Sequence, residues 1–339
     1  MSNVDKKAYI SGFDFVKLFG CCLVAFSHSF LNNFLSSNGI RAEMFFGEMV
    51  SVFFIIAGFL LASSMERRKN STEYIRKYIL KYFLLYYCVA FVQLLVHYVM
   101  IWYTNGVFMY KDFIYVMVTM PVLNLGPVQL WFIPPLLLGV GVSGTVLLRG
   151  SSEIYQKIMF TICIITILLG TFSGYINDWF PYMYDSLFKL RMIKFVSHYI
   201  RGLFFVWCGT KLYKQYHQFM GLKMKKVIVI SILFSLMEAF IYYHNPGHTF
   251  LIGGINTFSL FIWSIILMRP ILAIKIPELK KWHKEITVFS GLMYFLHIFE
   301  AMLLDLIIHN SVINFFIYTV INMILTFVIC YNMGRKEKA

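Results

Sequence analysis

The chain has 339 residues, 59% of them hydrophobic and only 14% charged, with a formal net charge of +14. Water-soluble domains carry about 25% charged residues, so a cytosolic enzyme is excluded, and apolar runs of roughly twenty residues are long enough to cross ~30 Å of hydrocarbon as helices. Lys and Arg concentrate in the breaks between those runs, where they read as a topology signal rather than a nucleic-acid footprint.

In chain order the runs predict an all-α polytopic bundle of about ten transmembrane helices near 12–32, 45–65, 78–102, 128–148, 157–174, 195–213, 226–244, 249–268, 287–308 and 312–333. Segment 113–123 is too short to span and reads as a re-entrant or interfacial piece. Lys6 and Lys7 before the first run resemble a signal peptide, but Asp14 and Lys17 interrupt the run. A retained first helix is therefore expected. With the N-terminus inside, only Arg41, Lys111, Lys189, Arg191 and Lys194 fall in outer segments, out of 30 Lys and Arg in all. That bias predicts an N-in, C-in topology in the inner or plasma membrane. The six cysteines lie in apolar runs without a C-x-x-C, so neither a disulfide framework nor a metal site is expected.

An ionisable side chain inside a spanning helix costs a few kcal/mol on insertion scales of roughly 2.5–3.5, which makes each one a functional candidate. The first helix carries Asp14, Lys17 and His28. Asp14 and Lys17 are three apart on one face and suited to an ion pair. His28 lies eleven residues, or ~16 Å, further along the same face as Lys17. Its imidazole is the side chain best suited to take a proton near neutral pH. Glu48, at a similar depth on the second helix, is the candidate orienting carboxylate, so His28 and Glu48 are expected to line one cavity. Arg76, Lys77 and Lys81 enter the third helix as a cradle for anionic groups. Trp131 reads either as an interfacial belt residue or as a stacking surface. His198 with Arg201, and His297 with Glu300, are pairs one turn apart. The segment 175–194 reads as an outer loop of acids and aromatics.

Four blocks carry a family resemblance. Gly12–His28 (GFDFVKLFGCCLVAFSH) matches a D-x-x-R opening followed eleven positions on by His, with Lys17 in place of Arg. Val50–Leu61 matches F-F-x-x-S-G-F-L through Phe53, Phe54, Gly58 and Phe59, with Ala57 for Ser. Gln129–Leu137 matches H-L-W-F-L through Leu130, Trp131 and Phe132, and Ser290–Phe299 matches Y-L-x-H through Tyr294 and His297. In this order the blocks resemble the acyltransferase 3 family of integral membrane acyltransferases. Among the departures, Lys81 stands near an expected Arg, and Lys lacks the bidentate grip of Arg.

The resemblance implies one acyltransferase 3-like transmembrane domain over 1–339 with no appended soluble domain. It implies transfer of an acyl group, usually acetyl, from cytoplasmic acyl-CoA to a hydroxyl of a bacterial surface polysaccharide or lipid-linked glycan. Acetyl-CoA would be a co-substrate, with no bound cofactor and no nucleic-acid partner. His28 and Glu48 would be catalytic, and Asp14, Lys17, Arg76, Lys77 and Lys81 would serve acyl-CoA. Trp131, Arg201 and His297 would serve the acceptor or a secondary site. The competing reading is a transporter or flippase with Lys17, His28 and His297 along its pathway.

Overall fold

Lipid offers the backbone no hydrogen-bond partners, so an apolar run must satisfy its own N–H and C=O groups as a helix. A computed structural model describes residues 9–26, 43–68, 70–123, 128–149, 152–172, 187–244, 258–305 and 311–336. Every regular element among them is helical: α1 (Ser11–Phe26), α2 (Glu43–Arg67), α3 (Ser71–Asn105), α4 (Tyr110–Leu123), α5 (Ile133–Arg149), α6 (Ser152–Thr171), α7 (Leu187–Lys214), α8 (Tyr216–Gly221), α9 (Met224–His244), α10 (Phe258–Ala273), α11 (His283–Asp305) and α12 (Ser311–Lys336). Short 3-10 turns at Val128–Phe132 and Pro277–Trp282 lead into α5 and α11.

Among the described residues, the apolar segments of the sequence lie almost wholly on helices. Four helical stretches among the described residues are long and apolar enough to span, Met49–Arg67, Ser71–Asn105, Leu130–Leu148 and Ile313–Met333. The pair Phe258–Ala273 and Pro277–His297 raises this to five if it counts as one broken span. Segment 113–123 belongs to α4, whose 14 residues rise only ~21 Å. The starts of α3 and α7 depart most from the sequence reading. α3 starts at Ser71 because Asn70 caps it: Asn70 Oδ1 accepts from the Glu73 amide at 3.0 Å, and Asn70 Nδ2 donates back to the Glu73 carboxylate at 3.2 Å. It ends where Gly106 adopts the left-handed conformation at φ 71° and its amide donates to Trp102 O. α7 begins at Leu187, so Lys189, Arg191 and Lys194 lie in its first turns and not in a loop. The rest of that expected loop lies outside the described residues.

The helices divide into two compact units, one built on Val50–Leu267 and one on Lys7–Met49 with Met268–Ala339. In the first, α2 and α7 approach until backbones touch. A Cβ on Gly58 would fall 1.9 Å from Val206 O, and one on Gly209 2.0 Å from Ile55 O. Phe54 packs on Phe132 and Phe205 on Phe261, with ring centroids at 4.4 and 4.8 Å. In the second unit, Cys21 and Ala25 of α1 pack with Phe289 and Met293 of α11 and Tyr318 of α12. The Tyr318 hydroxyl donates to Ala25 O at 3.2 Å, fixing α12 on the described end of α1.

Candidate functional site

The polar residues buried within these helices fall into local clusters. In the Val50–Leu267 unit, the α2–α7 contact places Ser51 opposite Arg201. Arg201 is 3% exposed, and its Nε donates to Ser51 Oγ at 2.8 Å. Its guanidinium carbon lies 5.7 Å from the Trp131 ring, and the His198 ring stacks on that indole at 4.1 Å between centroids. The sequence singled out Trp131 and Arg201 separately; the 3-10 turn before α5 and the middle of α7 bring them together. A guanidinium over an indole in a low-dielectric site is held by the ring quadrupole and offers directed donors. Such a pair can stack on a sugar face and hydrogen-bond its oxygens. His198 and Ser51 complete the cluster, and only His198 was visible beforehand, as the residue one turn before Arg201.

Arg76, Lys77 and Lys81 lie in the first three turns of α3, all exposed. Lys77 pairs with Glu73 at 2.7 Å, and Lys81 Nζ lies 5.5 Å over the Tyr82 ring. Arg68 stands 4.5 Å over Tyr74, which begins a ladder with Tyr78 and Tyr82. The result is a basic, aromatic-rich surface at the N-terminal end of α3, open to anions.

In the other unit, Asp14 is 1% exposed and accepts three side-chain hydrogen bonds. They come from Tyr9 Oη at 2.6 Å, Lys17 Nζ at 3.1 Å and His283 Nδ1 at 2.7 Å. Lys17 Nζ also donates to Thr287 Oγ1 at 3.3 Å. Ser11 Oγ donates to Ile274 O and accepts from the Ile276 amide, which ties the start of α1 to the turn before α11. Burial, then the hydrogen bond to Asp14 and its charge, raise the Tyr9 phenol far above its ordinary pKa. Asp14 is therefore the hub of a tied corner, and what it presents is Lys17. His283 escaped the sequence reading because it sits 269 residues from Asp14, at the first residue of α11 just after a polar turn with no periodic signal.

His297 is 2% exposed, with Nδ1 2.7 Å from Met293 O. A carbonyl only accepts, so in the neutral ring Nδ1 carries the proton and Nε2 the lone pair. One turn on, Glu300 accepts from Asn322 Nδ2 at 2.6 Å, and the same nitrogen donates to Tyr318 O at 2.9 Å. Glu238, also missed, is 3% exposed and caps the N-terminus of α10. It accepts from the amides of Phe258 and Ser259 at 2.9 and 3.0 Å and from the Ser259 hydroxyl. A lone acid in an apolar helix was the available signal, but nothing local tells a cap for a distant helix from a reactive group. His28 lies outside the described residues, and Glu48 is on α2 with its side chain outside them. The expected cavity joining the two therefore also lies outside the description.

A family model for an acyltransferase domain, that of the acyltransferase 3 family, matches residues 10–333, and the chain belongs to this family of membrane acyltransferases. No curated protein and no solved structure matches it.

Proposed function

We propose that the protein is an integral membrane O-acyltransferase that moves an acyl group, in the first instance acetyl, from cytoplasmic acyl-CoA to a hydroxyl of a surface polysaccharide or lipid-linked glycan. The observation that carries this reading is the family match over residues 10–333. The chain crosses a bacterial inner membrane ten times with both termini inside, as the Lys and Arg distribution supports.

Arg76, Lys77 and Lys81 bind the CoA phosphates, and Asp14 serves the donor by holding Lys17 toward it. Trp131 and Arg201 bind the acceptor through ring stacking and guanidinium donors, and His297 is a secondary acceptor residue. His28 is the general base, with Glu48 orienting its imidazole. As the acceptor oxygen bonds to the thioester carbonyl carbon, its proton passes to His28. The C–S bond then breaks, and the proton returns to the CoA sulfur. A thioester leaves readily enough that no acyl-enzyme is needed.

The test is transfer of radiolabel from acetyl-CoA in membranes holding wild type or His28→Ala at matched protein levels, with glycan extracted afterwards. The expected result is alkali-labile label on glycan in wild type, reduced at least 100-fold in the variant, within the usual range for a lost general base of about 10²–10⁴. Label in the variant equal to wild type removes His28 from the mechanism.

A further inference from the structure

Glu300 stands well inside the apolar run 287–308, with no other ionisable residue between His297 and Asp305. Hydrocarbon makes an isolated carboxylate costly, so such a group needs either a cation or a proton. No Lys, Arg or His of the described residues forms an ion pair with the half-buried Glu300. Among the described side chains, the titratable groups that neighbouring helices bring to this packing are the thiols of Cys21 and Cys22 on α1 and the phenol of Tyr318 on α12. None of these can be a cation. On α11 itself the nearest is His297, whose Nδ1 bonds back to Met293 O and Tyr294 O of the preceding turn.

What Glu300 has instead is an amide. Asn322 of α12 is fully buried, and its Nδ2 donates to Glu300 Oε2 at 2.6 Å and to Tyr318 O at 2.9 Å. Both amide hydrogens are thereby used. The oxygen of the same planar group, Asn322 Oδ1, is buried and has no partner among the described residues. A buried acceptor left empty costs stability. A carboxylate cannot fill it, whereas a carboxylic acid can, because protonation turns one of its oxygens into a donor. In a planar acid–amide pair that second carboxyl oxygen meets the amide oxygen. The enclosure that shuts out a ligand admits a proton, which needs no space of its own.

We propose that Glu300 and Asn322 form a proton-binding site inside the bilayer, in which Glu300 is protonated at and below neutral pH and donates to Asn322 Oδ1 while Asn322 Nδ2 donates to Glu300 Oε2. The proton comes from water, and no other bond changes. The inference is independent of the acyl-CoA reading. The loaded pair clasps α11 to α12, and the Tyr318 hydroxyl carries the grip on to Ala25 O of α1. Loss of the proton leaves a charge without a cation beside an acceptor without a donor, so the contact weakens. An exposed glutamate gives up its proton near ~4.3, so the folded state holds at neutral pH a proton that the unfolded chain has released. The stability contributed by the site is therefore present at acid pH and lost as pH rises into the alkaline range.

Glu300→Gln supplies the same two hydrogen bonds permanently, its Nε2 donating to Asn322 Oδ1 and its Oε1 accepting from Nδ2. Between pH 6 and pH 9 the full-length wild type in detergent is expected to lose at least about 3 °C of melting temperature beyond whatever the variant loses. At pH 9 the variant melts at or above wild type. The infrared C=O stretch of a protonated carboxylic acid, present in wild type at pH 6 and diminished in Glu300→Gln, reads the proton directly. Equal pH slopes, or a carboxylic-acid band unchanged by the substitution, overturn the site. A Glu300→Gln chain that does not fold shows that the ionised form is required and overturns it too. Stabilisation of wild type at pH 9 by sodium chloride and not by N-methylglucamine chloride gives the place to a metal cation, which likewise overturns the proton assignment.

Discussion

Asp14 shows how much a single side chain gains from neighbours distant in sequence. Its carboxylate is out of solvent yet meets three donors, Tyr9, Lys17 and His283. Burial without those donors would be prohibitive, whereas with them it fixes the start of α1 against the turn before α11. Asp14→Ala leaves these donors unpaired and is expected to cost about 3 kcal/mol, the low end for breaking a buried pair because Lys17 is partly exposed. Thermal melts of the detergent-solubilised protein check this, and an unchanged midpoint would show that the corner is not held by charge. Arg201 makes a different demand. Its Nε reaches Ser51 while its plane lies near Trp131, a combination the point charge of Lys cannot reproduce. Arg201→Lys is therefore expected to lower acyl transfer at least tenfold despite keeping the charge, measured in the labelled acetyl-CoA assay.

At the scale of elements, close approach matters more than propensity. Without a hydrophobic drive between helices in lipid, association depends on packing, and small residues let backbones meet. Gly58 and Gly209 do this where α2 crosses α7, on the same pair of helices that brings Ser51 to Arg201. Gly58→Ala would put a Cβ 1.9 Å from Val206 O. Overpacking of this kind costs about 1–3 kcal/mol, and displacement of α2 should also lower transfer activity. A melt and the acetyl-transfer assay on the same preparation test both; a fully active variant of normal stability would show that the helices can part freely. Glu238 performs the corresponding task at a helix end, covering two free amides of α10 in trans. Glu238→Ala is expected to destabilise the protein by about 1–3 kcal/mol through those unpaired amides, read as a lower melting temperature.

For the whole molecule, the testable statement is topology. The proposed ten spans place the α3 start and the C-terminus on the cytoplasmic side. Lys77→Cys, on the exposed first turns of α3, should then be labelled by a membrane-impermeant maleimide only after cells are opened. Labelling of intact cells would reverse the topology and remove the cytoplasmic surface assigned to acyl-CoA.

The class of the protein and its helices were legible from composition and hydropathy, because a bilayer forces any long apolar run to be a helix. The four ordered motif blocks pointed to the family that the match over residues 10–333 confirms. Local pairs such as Asp14 with Lys17 could also be read, since helical spacing alone sets them side by side. Only the tertiary structure decided which helices touch. It brought His283 to Asp14, Ser51 and Trp131 to Arg201, and Asn322 to Glu300, and it assigned Glu238 to a helix cap. Periodicity records which face of a helix is apolar, but the identity of the facing helix depends on packing between distant segments, such as Ala25 and Tyr318, 293 residues apart, which no local pattern encodes.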